Sequence, residues 1–380
     1  MKIRMVCLLC VAAPVCVMTA EPVVSAPVLP THGEAGLEVS ESLRREARAA
    51  VERGLKWLSA RQNEGGHWSN ADHPALTALP VWAYVRAGRT ESPEVQKAVR
   101  YIAGCARDNG AIFVEARPGE GGGLANYNTA ISMVALHLAG GPEHAEKVRR
   151  ARAFIARTQH LGGDIYYGGM GYDEGSGRAY ADLSNSYTAY EAMRMTESVE
   201  DLRKPGEAKA DLDWKAAEQF IQRSQNDARF NTQPWATDDP EDRGGFAYRP
   251  DQTRSGTVTN AQGQVKFRSM KGMTYAGLLS YIYADVDRTD PRVEATVDWV
   301  ALHWGLSSNN STTGGTEQAD TQDDREGLFY LYHVMSKGLQ AYGRDVFRPA
   351  GRAPFNWRKD LIERLISLQK TDPKDGSGYW

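Results

Sequence analysis

The amino-acid sequence predicts an all-α protein whose helices form a closed ring with an inner and an outer layer. Three observations favour this fold class. A pair of helical segments recurs along the chain, the first amphipathic and the second apolar on nearly every side. Five such pairs and half of a sixth follow one another. The terminal repeats lack the polar capping character that an open stack of repeats needs, which favours a closed ring.

The first segment of the chain, residues 1–26, is predicted to be a secretory signal peptide. MKIR supplies a basic region, an apolar stretch follows, and small residues suited to cleavage end at Ala26. Pro14 interrupts the apolar stretch, which is also short for a membrane span, so a transmembrane anchor is not expected. The sequence therefore predicts an exported protein, periplasmic or extracellular, with a leader at 27–40 and one repeat domain at 41–380.

The predicted helices of the repeat domain alternate between the two layers. The outer segments, in chain order, contain ARAAVERGL, EVQKAVRYI, KVRRARAFI, DWKAAEQFI, RVEATVDWV and NWRKDLIERL. The first five are followed by the apolar segments HPALTALPVWAYV, YNTAISMVALHLA, SNSYTAYEAMRM, KGMTYAGLLSYIY and GLFYLYHVMSKGL. No apolar segment follows the sixth, because the sequence stops at Trp380. We therefore expect about six helix pairs with the last inner helix missing, and a domain that is C-terminally incomplete.

Composition and charge exclude some classes of partner. Hydrophobic residues make up 41% and charged residues 24% of the chain, which is typical of a folded globular protein. The formal net charge of -3 and the lack of a basic patch argue against a nucleic-acid partner. Three of the four cysteines lie in the predicted signal peptide, so Cys105 has no disulfide partner in the mature chain. We expect Cys105 to be a buried, inert thiol.

One motif carries a resemblance to a known family. QNEGGHW, Gln62 to Trp68, matches the Q-x-x-x-G-x-W signature of the terpene cyclase and protein prenyltransferase superfamily, and weaker forms occur in QHLGGDIYYGG, RGGFAYRP and QKTDPKDGSGYW. The chain most resembles secreted bacterial proteins with prenyltransferase and squalene-oxidase repeats. This resemblance implies an α/α toroid with a central cavity.

The signature also has a physical interpretation. A glutamine late in an outer helix, such as Gln62, can hydrogen-bond unpaired carbonyls or the next loop. Gly66 permits a tight reversal of the chain, and Trp68 is expected to cover the seam between repeats. These residues are therefore predicted to be structural and not catalytic.

An acidic cluster, ADTQDDREG, precedes the fifth apolar segment and is the candidate catalytic site: Asp320, Asp323, Asp324 and Glu326. Alternatively, the cluster marks the ordinary start of a buried helix, where carboxylates are favoured. The resemblance implies a D-x-D-D-T-A motif for squalene-type cyclases, but the spacing here is D-x-x-D-D without Thr-Ala, so squalene cyclisation is not expected.

The same segment resembles part of the zinc motif of the prenyltransferases. Their D-x-C-Y-S-F pattern resembles Asp324 to Phe329, with Glu326 in the place of the thiolate. Without the thiolate, and without a histidine on a following inner helix, no strong zinc site remains. We therefore expect neither prenyltransferase activity nor a metal or other cofactor. His333 is predicted to be a core histidine.

The inner helices should all begin at one end of the ring, which we call the mouth. Polar residues just before or within the first turns of these helices are predicted to converge there and bind a ligand, although each of them is also suited to capping a helix. A glycine-rich loop near the mouth carries tyrosines that either stack on a ligand or close the end of the ring. The candidate ligand-binding residues are Asp72, His73, Asn128, Tyr166, Tyr167 and Asp182.

Two functions stay open at this stage. The first is an exported, terpene-cyclase-like toroid that binds a hydrophobic or isoprenoid-like molecule, a lipid among them, in its central cavity, with Asp323 or Asp324 as acid if it is an enzyme. The second is a non-catalytic extracytoplasmic binding or scaffold module for a protein or glycan partner. Peripheral association with a membrane is compatible with either function. The polar insertion at 226–270 is interpreted as a lid or as a surface excursion.

Overall fold

The computed structural model describes residues 36–116, 122–173, 180–307 and 327–380. Within these ranges the chain is built from helices joined by loops, with only a few short strands, so the predicted all-α fold is confirmed. The helices are α1 (Glu41–Ser59), α2 (Ala75–Arg86), α3 (Pro93–Gly104), α4 (Ala125–Ala139), α5 (Ala145–Arg157), α6 (Leu183–Met195), α7 (Trp214–Ser224), α8 (Lys271–Tyr283), α9 (Pro291–Leu302), α10 (Leu328–Tyr342) and α11 (Trp357–Leu368).

The short strands form three antiparallel hairpins. They pair β1 (Thr257–Thr259) with β2 (Val265–Phe267), β3 (Val346–Phe347) with β4 (Phe355–Asn356), and β5 (Lys370–Thr371) with β6 (Gly378–Tyr379). Short 3-10 helices lie at Pro142–His144 and Glu197–Leu202. No helix among the described residues is long and apolar enough to span a bilayer.

The helices divide into two layers, as their sequences predict. The even-numbered helices pack side by side in the series α2, α4, α6, α8 and α10, and most of their residues are buried. The odd-numbered helices α1, α3, α5 and α7 carry charged residues on one face and bury the other. Because the buried face lies on the neighbouring even-numbered helices, the even series is the inner layer and the odd series the outer layer.

Signature glutamines join one outer helix to the next. Gln62 donates from Nε2 to the carbonyl of Gly66 in its own loop at 2.9 Å and to that of Glu94 in α3 at 2.8 Å. Trp68 is buried and donates to the carbonyl of Leu58 at 2.8 Å. The structural role predicted for this motif is therefore confirmed. Corresponding bonds run from Gln159 to Asp213, from Gln225 to Arg292 and from Gln369 to Ala50.

The last of these bonds closes the outer layer. Gln369 donates to the carbonyl of Ala50 in α1 at 2.8 Å and accepts from Arg53 Nε at 2.8 Å. The indole of Trp380 packs against Gly54 and donates to the carbonyl of Leu365 at 2.8 Å. The end of the chain thus docks on the first helix. The missing sixth inner helix stays a prediction.

Replacing Gln369 by alanine tests this closure. The carbonyl and the guanidinium that it bridges would each lose a partly buried partner, so the free energy of unfolding should fall by about 1–3 kcal/mol. Urea denaturation of the purified protein measures the change. Gln96→Ala, an exposed position on α3, is the matched control and should change stability by less than about 0.5 kcal/mol. Equal losses for the two variants would contradict the closure.

The insertion at 226–270 is a packed extension with a small core of its own. Trp235 stacks on Phe267 with ring centroids 4.7 Å apart and lies against Ala236 and Ala247. The carbonyls of Tyr248 and Phe246 accept from the amides of Leu183 and Met270, which lie at the starts of α6 and α8. The insertion therefore borders the mouth of the ring.

Candidate functional site

The four acidic residues of the candidate catalytic site, Asp320, Asp323, Asp324 and Glu326, lie outside the described residues. The described part resumes at Gly327, which occupies the N-cap position of α10. The catalytic role of the acidic cluster stays a prediction.

Asp182 lies at the mouth and caps α6. Its carboxylate accepts from the amide of Asn185 at 2.9 Å and from the Nδ2 of Asn185 at 2.7 Å, and the residue is fully buried. Burial raises the pKa of this carboxyl, against hydrogen bonds that lower it. The side chain makes the helix-capping contacts that were the alternative to ligand binding. Its ligand-binding role stays a prediction.

Three other candidates lie around the start of α2. Asn128 is buried and ties two inner helices together, because its Oδ1 accepts from the amide of Ala75 at 3.1 Å and its Nδ2 donates to the carbonyl of Gly123 at 2.8 Å. Asp72 and His73 are partly buried just before this helix. The Nδ1 of His73 is buried without a hydrogen-bond partner among the described residues.

The tyrosine loop, defined by Tyr166 and Tyr167, packs against the insertion. Tyr166 donates from its hydroxyl to Asp251 at 2.7 Å, and burial together with this carboxylate raises the pKa of Tyr166 to about 12. Tyr167 is half-buried. Tyr166 is thus held against its own chain, and stacking of the two rings on a ligand stays a prediction.

A second set of polar residues, not selected as a site from the sequence, lies in the interior of the inner ring. We call it the interior network: Glu191, Tyr283, His333 and Lys337. Glu191 on α6 accepts from the Tyr283 hydroxyl at 3.1 Å with Oε1 and from Lys337 on α10 with Oε2. Only 4% of the Glu191 side chain and 11% of the Lys337 side chain are exposed. This is a buried ion pair between two inner helices.

Two aromatic rings lie near the ammonium group of Lys337. Its Nζ lies 5.0 Å from the ring centroid of Trp82 on α2 and 6.0 Å from that of Tyr187 on α6. Tyr187 meets Tyr330 edge to face at 6.5 Å, and Tyr330 and Ser184 are joined by a 3.1 Å hydrogen bond between their hydroxyls. Side chains of α2, α6, α8 and α10 therefore converge on one interior region. Aromatic faces of this kind favour cations and large apolar molecules.

His333 contributes a neutral imidazole to this network. Its Nε2 lies 3.4 Å from Lys337 Nζ. Burial first, and the positive charge of Lys337 second, hold the pKa of His333 well below its ordinary value of 6.5. The imidazole is therefore uncharged at neutral pH and accepts from the ammonium group. The sequence placed His333 correctly on an inner helix, and its spacing of four residues from Lys337 is the helical spacing that brings two side chains together.

The lowered pKa of His333 predicts that acid destabilises the fold. Below pH 6.5 the unfolded chain binds a proton at this histidine that the folded chain does not, so stability is lost as the pH falls from 6.5 towards the folded-state pKa. The loss is at most about 1.4 kcal/mol per pH unit. His333→Gln should flatten the fall in melting temperature between about pH 7.5 and about pH 5.

His303, whose pKa burial also lowers, provides an independent check. His303→Gln should reduce the pH slope in the same direction as His333→Gln. An unchanged slope in the His333→Gln variant would contradict the assignment of a neutral, partly buried imidazole.

The described residues hold no group of three or more histidine, cysteine, aspartate or glutamate side chains arranged to bind a metal. Cys105 is a buried free thiol whose pKa burial raises, so it is a poor nucleophile. In the part of the chain that the structure describes, the interior network offers an apolar, aromatic surface beside the balanced ion pair of Glu191 and Lys337.

Comparisons with known proteins give weak similarity only. No family model matches the chain, and no curated protein matches it. Among solved structures, it is similar to a crystal structure of a protein from Actinoplanes with 15% identity and a TM-score of 0.44, over 80% of this chain and 85% of that one. It is also similar to the type II terpene cyclase MstE from Scytonema in its apo form, with 14% identity and a TM-score of 0.43, over 78% of this chain and 82% of that one.

A variant of MstE in complex with its substrate geranylgeranyl dihydroxybenzoate matches at 13% identity and a TM-score of 0.42, over 78% of this chain and 82% of that one. Identities and TM-scores this low carry no activity over to this chain. Its fold is established by its own helix packing, and its chemistry is argued below from its own residues.

Proposed function

We propose that this protein binds a hydrophobic, isoprenoid-like small molecule in the interior of its inner helix ring. The observation that carries the proposal is the convergence on Lys337, where side chains of four inner helices meet. Trp82, Tyr187 and Tyr330 supply large aromatic surfaces there, and the interior network supplies a few polar groups. An apolar surface with few convergent polar groups is typical of small-molecule sites.

The length of the interior favours an elongated ligand. Ser184 and Tyr330 meet near the first turns of α6 and α10, and Glu191 and Lys337 meet seven residues further along the same two helices. Seven residues of α-helix span roughly 10 Å. A chain-like apolar molecule could therefore lie along the two helices with its polar end at the ion pair.

The proposal is limited to binding, with the reaction left unassigned. The acidic residues predicted as catalytic, Asp323 and Asp324 among them, lie outside the described residues. Within the interior network, Glu191 is paired with an ammonium group and His333 is uncharged. We also propose export, supported by the basic start and apolar stretch of residues 1–26, which N-terminal sequencing of the secreted form would test.

Titration with isoprenoid alcohols of increasing length, observed by native mass spectrometry, tests the proposal. We expect farnesol and geranylgeraniol to bind with one molecule per chain. Tyr187→Ala and Tyr330→Ala should each weaken binding by about tenfold, since each removes an aromatic surface of the interior. Melting temperatures measured in parallel separate loss of binding from loss of folding.

Tyr167→Ala separates an interior site from the ligand-binding role predicted for the tyrosine loop, which packs against the insertion. It should leave the affinity unchanged. Failure of every isoprenoid alcohol to bind would contradict the proposal, as would loss of binding in Tyr167→Ala with full binding retained in Tyr187→Ala and Tyr330→Ala. The latter pattern would favour recognition by the loop.

A further inference from the structure

We infer that the polar end of the ligand is an uncharged hydroxyl or carbonyl group, and that Glu191 is the residue that excludes carboxylates and phosphates from the interior. This inference rests on the proposed function and adds the chemical class of the ligand's polar group. It concerns specificity, and it gives Glu191 and Lys337 distinct, testable parts in that specificity.

The first step is the charge balance of the interior network. The ammonium group of Lys337 donates to a Glu191 oxygen, lies 3.4 Å from the Nε2 of His333, and faces the ring of Trp82 at 5.0 Å. Its positive charge is therefore already compensated by one carboxylate. A ligand anion would have to displace Glu191 or share a single cation with it, and either arrangement leaves one buried negative charge that no positive charge balances. Such a charge costs several kcal/mol.

The second step is the position of the pair along the helices. Glu191 and Lys337 lie in the second halves of α6 and α10, and Tyr283 is the last residue of α8. Helix C-termini carry partial negative charge, so this end of the inner ring disfavours a further anion. The nearby guanidinium of Arg194 does not offset this, because it donates to the carbonyl of Tyr283 and pairs with Asp285.

The third step concerns an unpaired hydrogen-bond donor that a neutral oxygen atom would satisfy. The indole N–H of Trp82 is buried and has no hydrogen-bond partner within the part of the chain that the structure describes. An unpaired buried donor is unfavourable, and an acceptor oxygen placed beside it recovers the lost hydrogen bond. A ligand hydroxyl or carbonyl oxygen that reached this N–H, once the side chains covering it moved aside, would do so without adding charge.

The test compares ligands that share one hydrocarbon chain and differ only at the polar end: farnesol, farnesal, farnesoic acid and farnesyl phosphate. We expect the wild-type protein to bind the alcohol and the aldehyde at least about 100-fold more tightly than the acid and the phosphate, from the cost of a buried unpaired charge. In Glu191→Gln the ammonium group loses its counter-ion. Affinity for the acid and the phosphate should then rise by at least about tenfold relative to the alcohol.

Two further variants complete the test. Glu191→Gln combined with Lys337→Met removes both charges and should restore the preference for the uncharged ligands. Glu218→Gln removes an equal charge from an ion pair with Arg292 in the outer layer and should leave the wild-type preference unchanged. The comparison within the wild-type protein stands alone if Glu191→Gln does not fold.

The outcomes separate the inference from the proposed function. Equal affinity of the wild-type protein for farnesol and farnesoic acid would overturn the inference and leave the proposed function intact. An unchanged preference in a folded Glu191→Gln variant would likewise overturn the role of Glu191. Absence of binding by all four compounds would overturn both.

Discussion

Replacing Arg152 by alanine is expected to lower the free energy of unfolding by about 3–5 kcal/mol, since it removes one partner of a buried ion pair. Only 1% of the Arg152 side chain and 4% of the Glu200 side chain are exposed, and Arg152 Nε donates to Glu200 at 2.9 Å. The guanidinium also donates to Thr196 Oγ1 and to the carbonyls of Met193 and Ala210. In the alanine variant, all of these acceptors would lose their hydrogen bonds from the guanidinium.

Urea denaturation of the two arginine variants on α5 measures this effect. Arg149→Ala is the matched control, because Arg149 lies on the same helix in more exposed pairs with Glu146 and Glu207 and should cost less than about 1 kcal/mol. Adding Glu200→Gln to the Arg152→Ala variant should recover part of the loss, since it removes a buried carboxylate whose remaining ionic partner is the more exposed Arg203. A loss below about 1 kcal/mol for Arg152→Ala would contradict the account.

The second large effect is expected at Gly168, in the loop after α5. Its backbone has a positive φ of 95°, and an added Cβ would lie 1.8 Å from the carbonyl oxygen of Ala216 in α7. Backbone atoms cannot yield as a flexible side chain can, so the loop or the helix must move. Gly168→Ala should therefore cost about 3–5 kcal/mol, from strained backbone and overpacking together.

Gly206→Ala separates the two contributions. This glycine also has a positive φ, 85°, but an added Cβ would meet nothing within 4 Å. It should cost only about 1–2 kcal/mol, the strain of the backbone alone. Thermal melts of both variants measure the difference, and equal losses would show that the close approach to α7 is unimportant. Three other glycines, in loops that follow outer helices, make the same close approach to the next outer helix: Gly66, Gly110 and Gly244.

The sequence predicts the layers well because each layer has its own pattern. A helix with one solvated face shows the amphipathic period, and a helix packed on all sides is apolar throughout. The contacts of Gln369 that close the ring were harder to predict from the sequence, although the terminal QKTDPKDGSGYW shares its glutamine, glycine and tryptophan with QNEGGHW. Counting the helices predicts a missing inner helix, which stays a prediction. The structure shows that the outer layer closes by contacts of the last loop and Trp380 with α1.

The ion pair of the interior network was missed because its two members are far apart in sequence. Glu191 and Lys337 are separated by 146 positions, and no local pattern pairs them. One signal was present: each is a charged residue in the middle of a segment predicted to be buried. Charged side chains at such positions are rarely left unpaired, so two of opposite sign predict a contact. The sequence pattern instead favoured the mouth, where Asp182 and Asn128 make contacts that cap or tie helices.

Photoaffinity labelling with a diazirine-bearing farnesol analogue tests most directly whether the ring interior is the binding site. After irradiation, mass spectrometry of proteolytic peptides locates the label. We expect labels within α6 and α10, residues 183–195 and 328–342, suppressed by an excess of farnesol. Labels confined to the loop at 163–173, to the insertion at 226–270 or to the outer helices would contradict an interior site.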